Sequence, residues 1–250
     1  MNIFEHRDCL EALPGLPDKS VDMVMCDLPY GTTACRWDVI IPFEPLWKEY
    51  KRIIKDNGAI VLTASQPFTS MLVMSNLKMF KYEWVWEKNN TTGHLNVKAR
   101  PLKQHENILV FSDGSATSTR ISMKYNPQGV IKINESKKNT SIPYCGNRKS
   151  RATGTTFLMS GKNYPKSVLR FCLENTKLHP TQKPVALFEY LIKTYTNEGE
   201  TVLDNCAGSG TTAIACLNLN RNYICYEKDK GYFDIATKRI GDHQAKLKLF

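Results

Sequence analysis

Two short strings in this chain of 250 residues carry residue types that could do chemistry together. The first is Asp27-Leu28-Pro29-Tyr30-Gly31. It follows the apolar run Asp22 to Leu28, which reads as a buried strand, so Asp27 stands where a strand ends and where α/β sheets place their ligands. A carboxylate at that point can accept one N–H of an exocyclic amine, while the Leu28 or Pro29 carbonyl accepts the other. The nitrogen, otherwise drained by delocalisation into its ring, is then better able to attack an electrophile. Pro29 stiffens the turn that aims these acceptors. Tyr30 offers a face on which a planar base can stack, worth about 1–3 kcal/mol. Attack of this kind is a direct displacement in which orientation supplies much of the rate, and it needs no metal. Taken alone, the four residues also fit an ordinary Asp-Pro turn.

The second string is Asp204-Asn205-Cys206-Ala207-Gly208-Ser209-Gly210-Thr211-Thr212. A strand over 201–204 leads into it, a helix over 210–218 leaves it, and a further strand over 223–227 ends at Glu227, about twenty residues on, at the offset where an acid can meet ribose hydroxyls. Gly208 and Gly210 let backbone approach a ligand closely. The pattern describes a nucleoside cofactor over the carboxyl ends of adjacent parallel strands. A phosphate-binding loop would need a lysine where Gly210 stands. A dinucleotide fingerprint would have its third glycine at Ala213, where alanine is tolerated, so the loop by itself leaves a nicotinamide cofactor open.

These strings need a scaffold, and the rest of the chain supplies one. Leu46, Trp47, Tyr50, Ile53 and Ile54 recur at helical spacing within 45–55, and Asn57-Gly58 reads as the stop. Residues 59–64, 82–87 and 107–111 read as strands. A second helix follows Pro184, with Val185, Phe188, Leu191, Ile192 and Tyr195 on its buried face. The strand–helix rhythm predicts an α/β fold, a doubly wound and mostly parallel sheet. Between the two ordered parts, residues 113–178 show little apolar periodicity. They hold twelve Lys and Arg against three acids, nearly all of the chain's net charge of +10. Charge concentrated this way suits phosphate contact. Its candidate DNA-binding cations are Arg120, Lys124, Lys137, Lys138, Arg148, Lys149 and Arg151, and its aromatics Tyr125, Tyr144, Phe157, Tyr164 and Phe171 either stack on bases or hold a small core.

The eight cysteines include no C-x-x-C pair and several lie in apolar runs, so they read as buried, reduced thiols of a cytoplasmic protein with no zinc site. The first residues lack a signal-peptide core, and no uncharged apolar run approaches the ~20 residues that span a bilayer.

In this order the motifs resemble those of the β-class DNA amino-methyltransferases: a D-P-P-Y tetrad, a basic target-recognition region, an H-P-T-Q-K-P segment and a D-P-F-x-G-S-G-T-T loop. Here they stand as Asp27 to Tyr30, residues 113–178, His179 to Pro184, and Asp204 to Thr212. The resemblance covers essentially the whole chain. It implies a permuted Rossmann-like fold with a seven-stranded sheet, in which residues 1–112 form the catalytic half, 113–178 the recognition insertion and 179–250 the cofactor half. It implies S-adenosylmethionine as cofactor, with Asp27, Pro29 and Tyr30 holding the target base. Asp204, Ala207, Gly208, Ser209, Gly210 and Thr211 would form the cofactor loop, Glu227 would hold the ribose, and Asp8 and Cys9 would lie beside the adenine. Thr181, Gln182 and Lys183 would lie near the methionine end, with Asp27 also bordering the cofactor.

The chain departs from the family pattern at Leu28, in place of the first proline, and at Asn205-Cys206, in place of Pro-Phe. Less apolar cover at Cys206 predicts weaker binding, unless Trp37 or another aromatic compensates. An aspartate at the head of the tetrad favours adenine N6; the family's cytosine N4 enzymes more often begin with serine. The expected partner is double-stranded DNA in a bacterial or phage setting, with a homodimer and a cognate restriction endonuclease as further candidates. N4-cytosine transfer, RNA as acceptor and a DNA-binding protein without activity stay open at this point.

Overall fold

The computed structural model describes residues 2–35, 37–117, 122–138, 156–174 and 182–247, with backbone alone described at 134–138 and 156–160. The chain forms two compact units, Met1–Asn126 with Ser167–Phe250, and Pro127–Lys166.

Strands β1 (Ile3–His6), β2 (Val21–Cys26), β3 (Ile54–Ala64), β4 (Phe80–Thr92) and β5 (Lys103–Phe111) belong to the larger unit. Strands β6 (Ile131–Lys138) and β7 (Thr156–Lys162) make the smaller one, and β8 (Val168–Arg170), β9 (Thr201–Asp204) and β10 (Asn222–Glu227) return to the larger. The large sheet runs β1-β10-β9-β2-β3-β5-β4-β8. Its strand pairs are parallel except where β5 meets β3 and β4. The sheet is therefore mostly parallel, as expected, but eight-stranded rather than seven-stranded. The additional edge strand is β8, which pairs Val85 with Val168 and Trp86 with Leu169. A three-residue strand leaves too little periodicity to read.

Helices α1 (Cys9–Ala12), α2 (Phe43–Ile53), α3 (Phe68–Ser75), α4 (Val185–Tyr195), α5 (Thr211–Asn218) and α6 (Lys230–Leu247) complete the larger unit. The side chains of β2 alternate between two cores. Met23 and Met25 join Val61, Trp84, Trp86 and Val110 in the layer that packs on Leu187, Leu191 and Ala215 of α4 and α5. Val24 and Cys26 join Ile60 and Leu62 in the layer packed on Leu46, Tyr50, Ile53 and Phe68 of α2 and α3. A strand covered on both faces reads as a continuous apolar run, which is why β2 has no polar face.

The junction of α2 and β3 departs from the sequence expectation. The helix ends at Ile53 and the strand starts at once at Ile54, so Asn57-Gly58 lies inside β3. The register of β2 on β3 jumps there, from Val21–Ile54 to Met23–Ala59. A Cβ on Gly58 would stand 2.7 Å from the Asp22 carbonyl oxygen. Gly58 is thus required for close approach of two strands, and it is not a helix stop.

The basic segment is also divided differently from the expected 113–178. Lys124 and Asn126 donate their backbone N–H to Asn57 and Thr194 of the larger unit, and residues 168–170 are β8. The compact smaller unit is the antiparallel pair β6–β7, running from Ile131 opposite Lys162 to Lys138 opposite Thr156.

Candidate active site

The sheet order makes β1, β10, β9 and β2 neighbours, so the residues that follow them meet at one edge although they are far apart in sequence. A cavity of about 710 Å³ opens there, lined among others by Asp8, Asp27, Tyr30, Lys183, Gly208 and Glu227. Among the described residues no His, Cys, Asp or Glu cluster could hold a metal ion.

At one end Glu227 accepts hydrogen bonds from the Gly208 and Asp229 N–H groups, each at 2.7 Å and each on a different oxygen. Burial raises its carboxyl above the ordinary value. The carboxylate also lines the cavity. Asp8 caps α1 through the Leu10 N–H at 2.9 Å and pairs with Lys228 at 2.8 Å. That hydrogen bond to Lys228 holds its carboxyl below the usual range. Cys9 lines the same end, and its thiol is lowered chiefly by a hydrogen bond with Cys206. Two acids, a backbone turn at positive φ (Gly208, 52°) and a cavity within the usual 300–1,000 Å³ of small-ligand sites fit a nucleoside cofactor.

The remaining residues of the loop mostly shape it. Asp204 is buried; it accepts from the Cys206 N–H at 3.1 Å and from the Thr212 hydroxyl, and burial raises its carboxyl to about 6. Gly210, at φ 78°, caps α5; it does not line the cavity, and a Cβ there would meet Ala236 at 3.2 Å. Ser209 donates to the Gln182 side chain at 3.2 Å, and Gln182 in turn donates to Glu174. Arg239 of α6 reaches the Ser209 carbonyl oxygen at 3.0 Å and the Thr211 hydroxyl at 3.2 Å, and pairs with Glu174 at 3.6 Å. Arg239 carries no sequence signal, because it is one cation on a polar helix. Ala207 and Thr211 border the cavity.

Cys206, which stands where the family has phenylalanine, shares hydrogen bonds with Cys26 and Cys9 that push its thiol up. Trp37 and Tyr232 also line the cavity and meet edge to face at 6.3 Å. The loop that carries Trp37 is tied by Asp38, which accepts from the Gly31, Thr32 and Thr33 N–H groups at 2.8, 2.9 and 2.6 Å. Burial raises the Asp38 carboxyl, and the Thr33 hydroxyl together with these N–H donors outweighs it, so the net direction is down.

At the other end Asp27 is held from three sides. Its Oδ1 accepts from the Tyr30 hydroxyl at 2.7 Å and from the Thr63 hydroxyl, and its Oδ2 pairs with Lys183 Nζ at 2.5 Å. Lys183 therefore engages the carboxylate of the first string, a contact its position beside the cofactor segment did not foretell. The Tyr30 ring stacks on Phe68 at 5.2 Å. The Leu28 side chain is buried in the core. Pro29 borders the cavity beside Tyr30.

Thr181, Arg120, Arg148, Lys149 and Arg151 lie outside the described residues, and Lys137 and Lys138 are described by backbone alone, in β6. Lys124 pairs with Glu200 and lies 3.9 Å from Asp22. Its charge is compensated within the larger unit, so it is not a ready phosphate contact. Seven cysteines fall among the described residues and all carry free thiols. No helix there is long and apolar enough to cross a membrane.

The chain is similar to known proteins along most of its length. It is 27% identical to the type II methyltransferase M.HpaI of Haemophilus parainfluenzae over 93% of this chain and 72% of that protein. It is likewise 27% identical to the type II methyltransferase M.HinfI of Haemophilus influenzae, covering 96% of this chain and 68% of that one. The crystal structure of an M1.HpyAVI–SAM complex superposes with a TM-score of 0.62 at 26% identity, covering 96% of this chain and all (100%) of the other. The cytosine-N4-specific PvuII methyltransferase, at 15% identity and a TM-score of 0.67, covers 97% of this chain and 91% of that one and shares the fold. The model of the DNA methylase family matches residues 21–238, and with a cavity that runs from the acids Glu227 and Asp8 to Asp27, the chain belongs to the DNA methylases.

Proposed function

We propose that this chain transfers a methyl group from S-adenosylmethionine to N6 of an adenine in double-stranded DNA. The observation that carries the proposal is the single cavity bordered by Asp27 and Tyr30 at one end and by Glu227 and Asp8 at the other. Bound there, S-adenosylmethionine supplies an electrophilic sulfonium methyl. Glu227 accepts from the ribose hydroxyls, Asp8 and Cys9 border the adenine, and Trp37 with Tyr232 gives the apolar cover that Cys206 cannot. Asp27 and a neighbouring backbone carbonyl accept the two N–H bonds of the target amine and aim its lone pair. Tyr30 stacks on the base, offsetting part of the few kcal/mol needed to take it out of the duplex. The proton released from nitrogen leaves along the hydrogen bond to Asp27.

The aspartate at the head of the tetrad supports adenine over cytosine. Phosphate contact belongs to the basic segment around the β6–β7 unit. The same reading carries a homodimer and a cognate restriction endonuclease as partners, and a bacterial or phage cytoplasm as its setting. Base-resolved sequencing of DNA from a host expressing the chain gives base and context together. The proposal expects N6-methyladenine within one short sequence. N4-methylcytosine alone overturns the adenine assignment, and unmodified DNA beside methylated RNA overturns the acceptor.

A further inference from the structure

Asp27 belongs to a buried row of alternating charge. Lys183 Nζ lies 2.5 Å from Asp27 Oδ2 and 3.5 Å from Glu106 Oε2, and Glu106 Oε1 in turn pairs with Lys88. The side chains are 21%, 6%, 13% and 13% exposed from Asp27 through Lys183 and Glu106 to Lys88, so water screens none of them well. Three separate parts of the larger unit contribute: the turn after β2, the segment entering α4, and the β4–β5 pair. Glu106 and Lys88 border the same cavity as Asp27.

A buried ammonium must be matched by nearby acceptors. Were Asp27 the sole carboxylate beside Lys183, it would carry that whole compensation and lose acceptor strength toward an incoming amine. Glu106 takes part of it. Its Oε2 faces the Lys183 ammonium at 3.5 Å. Lys88 balances Glu106, so the row of four is neutral as a whole.

We propose that Glu106 is a positioning residue for methyl transfer, acting through Lys183 to keep Asp27 fixed and still able to accept from the target amine. This rests on the reading of Asp27 as the acceptor of that amine. Glu106 does not touch the reacting atoms; it sets how strongly Lys183 draws on Asp27. The groups that face Lys183 are Asp27 and Tyr30 from the turn after β2, Glu106 and Lys103 from β5, and Lys88 from β4. Burial works against the Lys183 ammonium, and the two carboxylates more than restore it, so it stays charged beyond the ordinary lysine range. Without Glu106, Asp27 alone among these groups offsets the repulsion from Lys88 and Lys103.

The test compares Glu106→Gln and Glu106→Asp with the full-length wild type in single-turnover methylation of duplex DNA. The inference expects Glu106→Gln to lower the rate at saturating cofactor about 10- to 100-fold, with Kd for S-adenosylmethionine within about threefold of wild type. It also expects the alkaline limb of its rate profile to move to lower pH. Glu106→Asp, which keeps the charge, should recover most of the rate and the wild-type alkaline limb. A Glu106→Gln rate within twofold of wild type, or equal losses in both variants with an unmoved alkaline limb, overturns it; the second result would mark Glu106 as structural. Wild type that methylates no DNA would instead sink the reading of Asp27, so the two failures are distinguishable.

Discussion

Glu227 and Asp204 are both acids at strand ends, yet their surroundings give them different work. Glu227 lines the cavity beside Gly208, whereas Asp204 directs its two oxygens at the Cys206 N–H and the Thr212 hydroxyl. Glu227→Ala should therefore weaken S-adenosylmethionine binding by about 1.5–3 kcal/mol, the value of hydrogen bonds to a charged group, read by calorimetry as a 10- to 100-fold rise in Kd. Asp204 predicts a pH effect on stability. Its carboxyl rises from 3.8 to about 6 on folding, so ionisation opposes the fold. Its contribution is full below the unfolded value and is lost as pH rises to about 6. Asp204→Asn removes that dependence. Its unfolding free energy relative to wild type should climb between pH 4 and pH 7 by an amount on the order of 3 kcal/mol by linkage, read as a rising difference in melting temperature. A difference that stays flat or falls over that window would contradict this account of Asp204. At this scale the sequence showed which residue types stand at the strand ends. It could not show that Lys183 meets Asp27, that Arg239 ties the loop or that Glu106 lies within reach, because those contacts join segments remote in the chain.

Among the elements, the strands and helices with strong patterning were legible: β2 as a mostly apolar run, α2 and α4 by their spacing, and β9 with α5 by the glycine loop. The edges were not. Strand β1 reads as a polar start, yet it pairs with β10, and Phe4 stacks on Phe233 of α6 at 5.1 Å. Helix α6 buries only Ala236 and Ile240, too few residues to declare a face. The α2–β3 junction was misread because Asn-Gly is an ordinary helix terminator, while here Gly58 answers to the Asp22 carbonyl across the strand pair. Gly58→Ala should destabilise the protein by about 1–3 kcal/mol, as overpacking against fixed backbone does, with its denaturation midpoint lowered in urea. An unchanged midpoint would return Gly58 to the role of a simple helix stop.

Across the whole molecule, charge and catalysis are carried by different stretches of chain. The excess of cations lies in the basic segment, and the acids that matter line the cavity of the larger unit. Lys124 and Arg170, at the borders of that segment, are paired with Glu200 and Glu87. If about five of the other cations meet phosphates, log K for DNA should fall against log salt with a slope of about −4 to −5. A flat response in fluorescence anisotropy would leave the segment a structural role alone. The central claim is that Asp27 and the cofactor end of one cavity act together on an adenine amine. Purified protein incubated with unmodified duplex DNA and labelled S-adenosylmethionine, followed by nucleoside digestion and mass spectrometry, tests it most directly. The account predicts labelled N6-methyladenine from wild type and a loss of about 100- to 1,000-fold in Asp27→Ala, on the scale of removing one group that stabilises the transition state. Labelled N4-methylcytosine alone, or an Asp27→Ala variant as active as wild type, would contradict it.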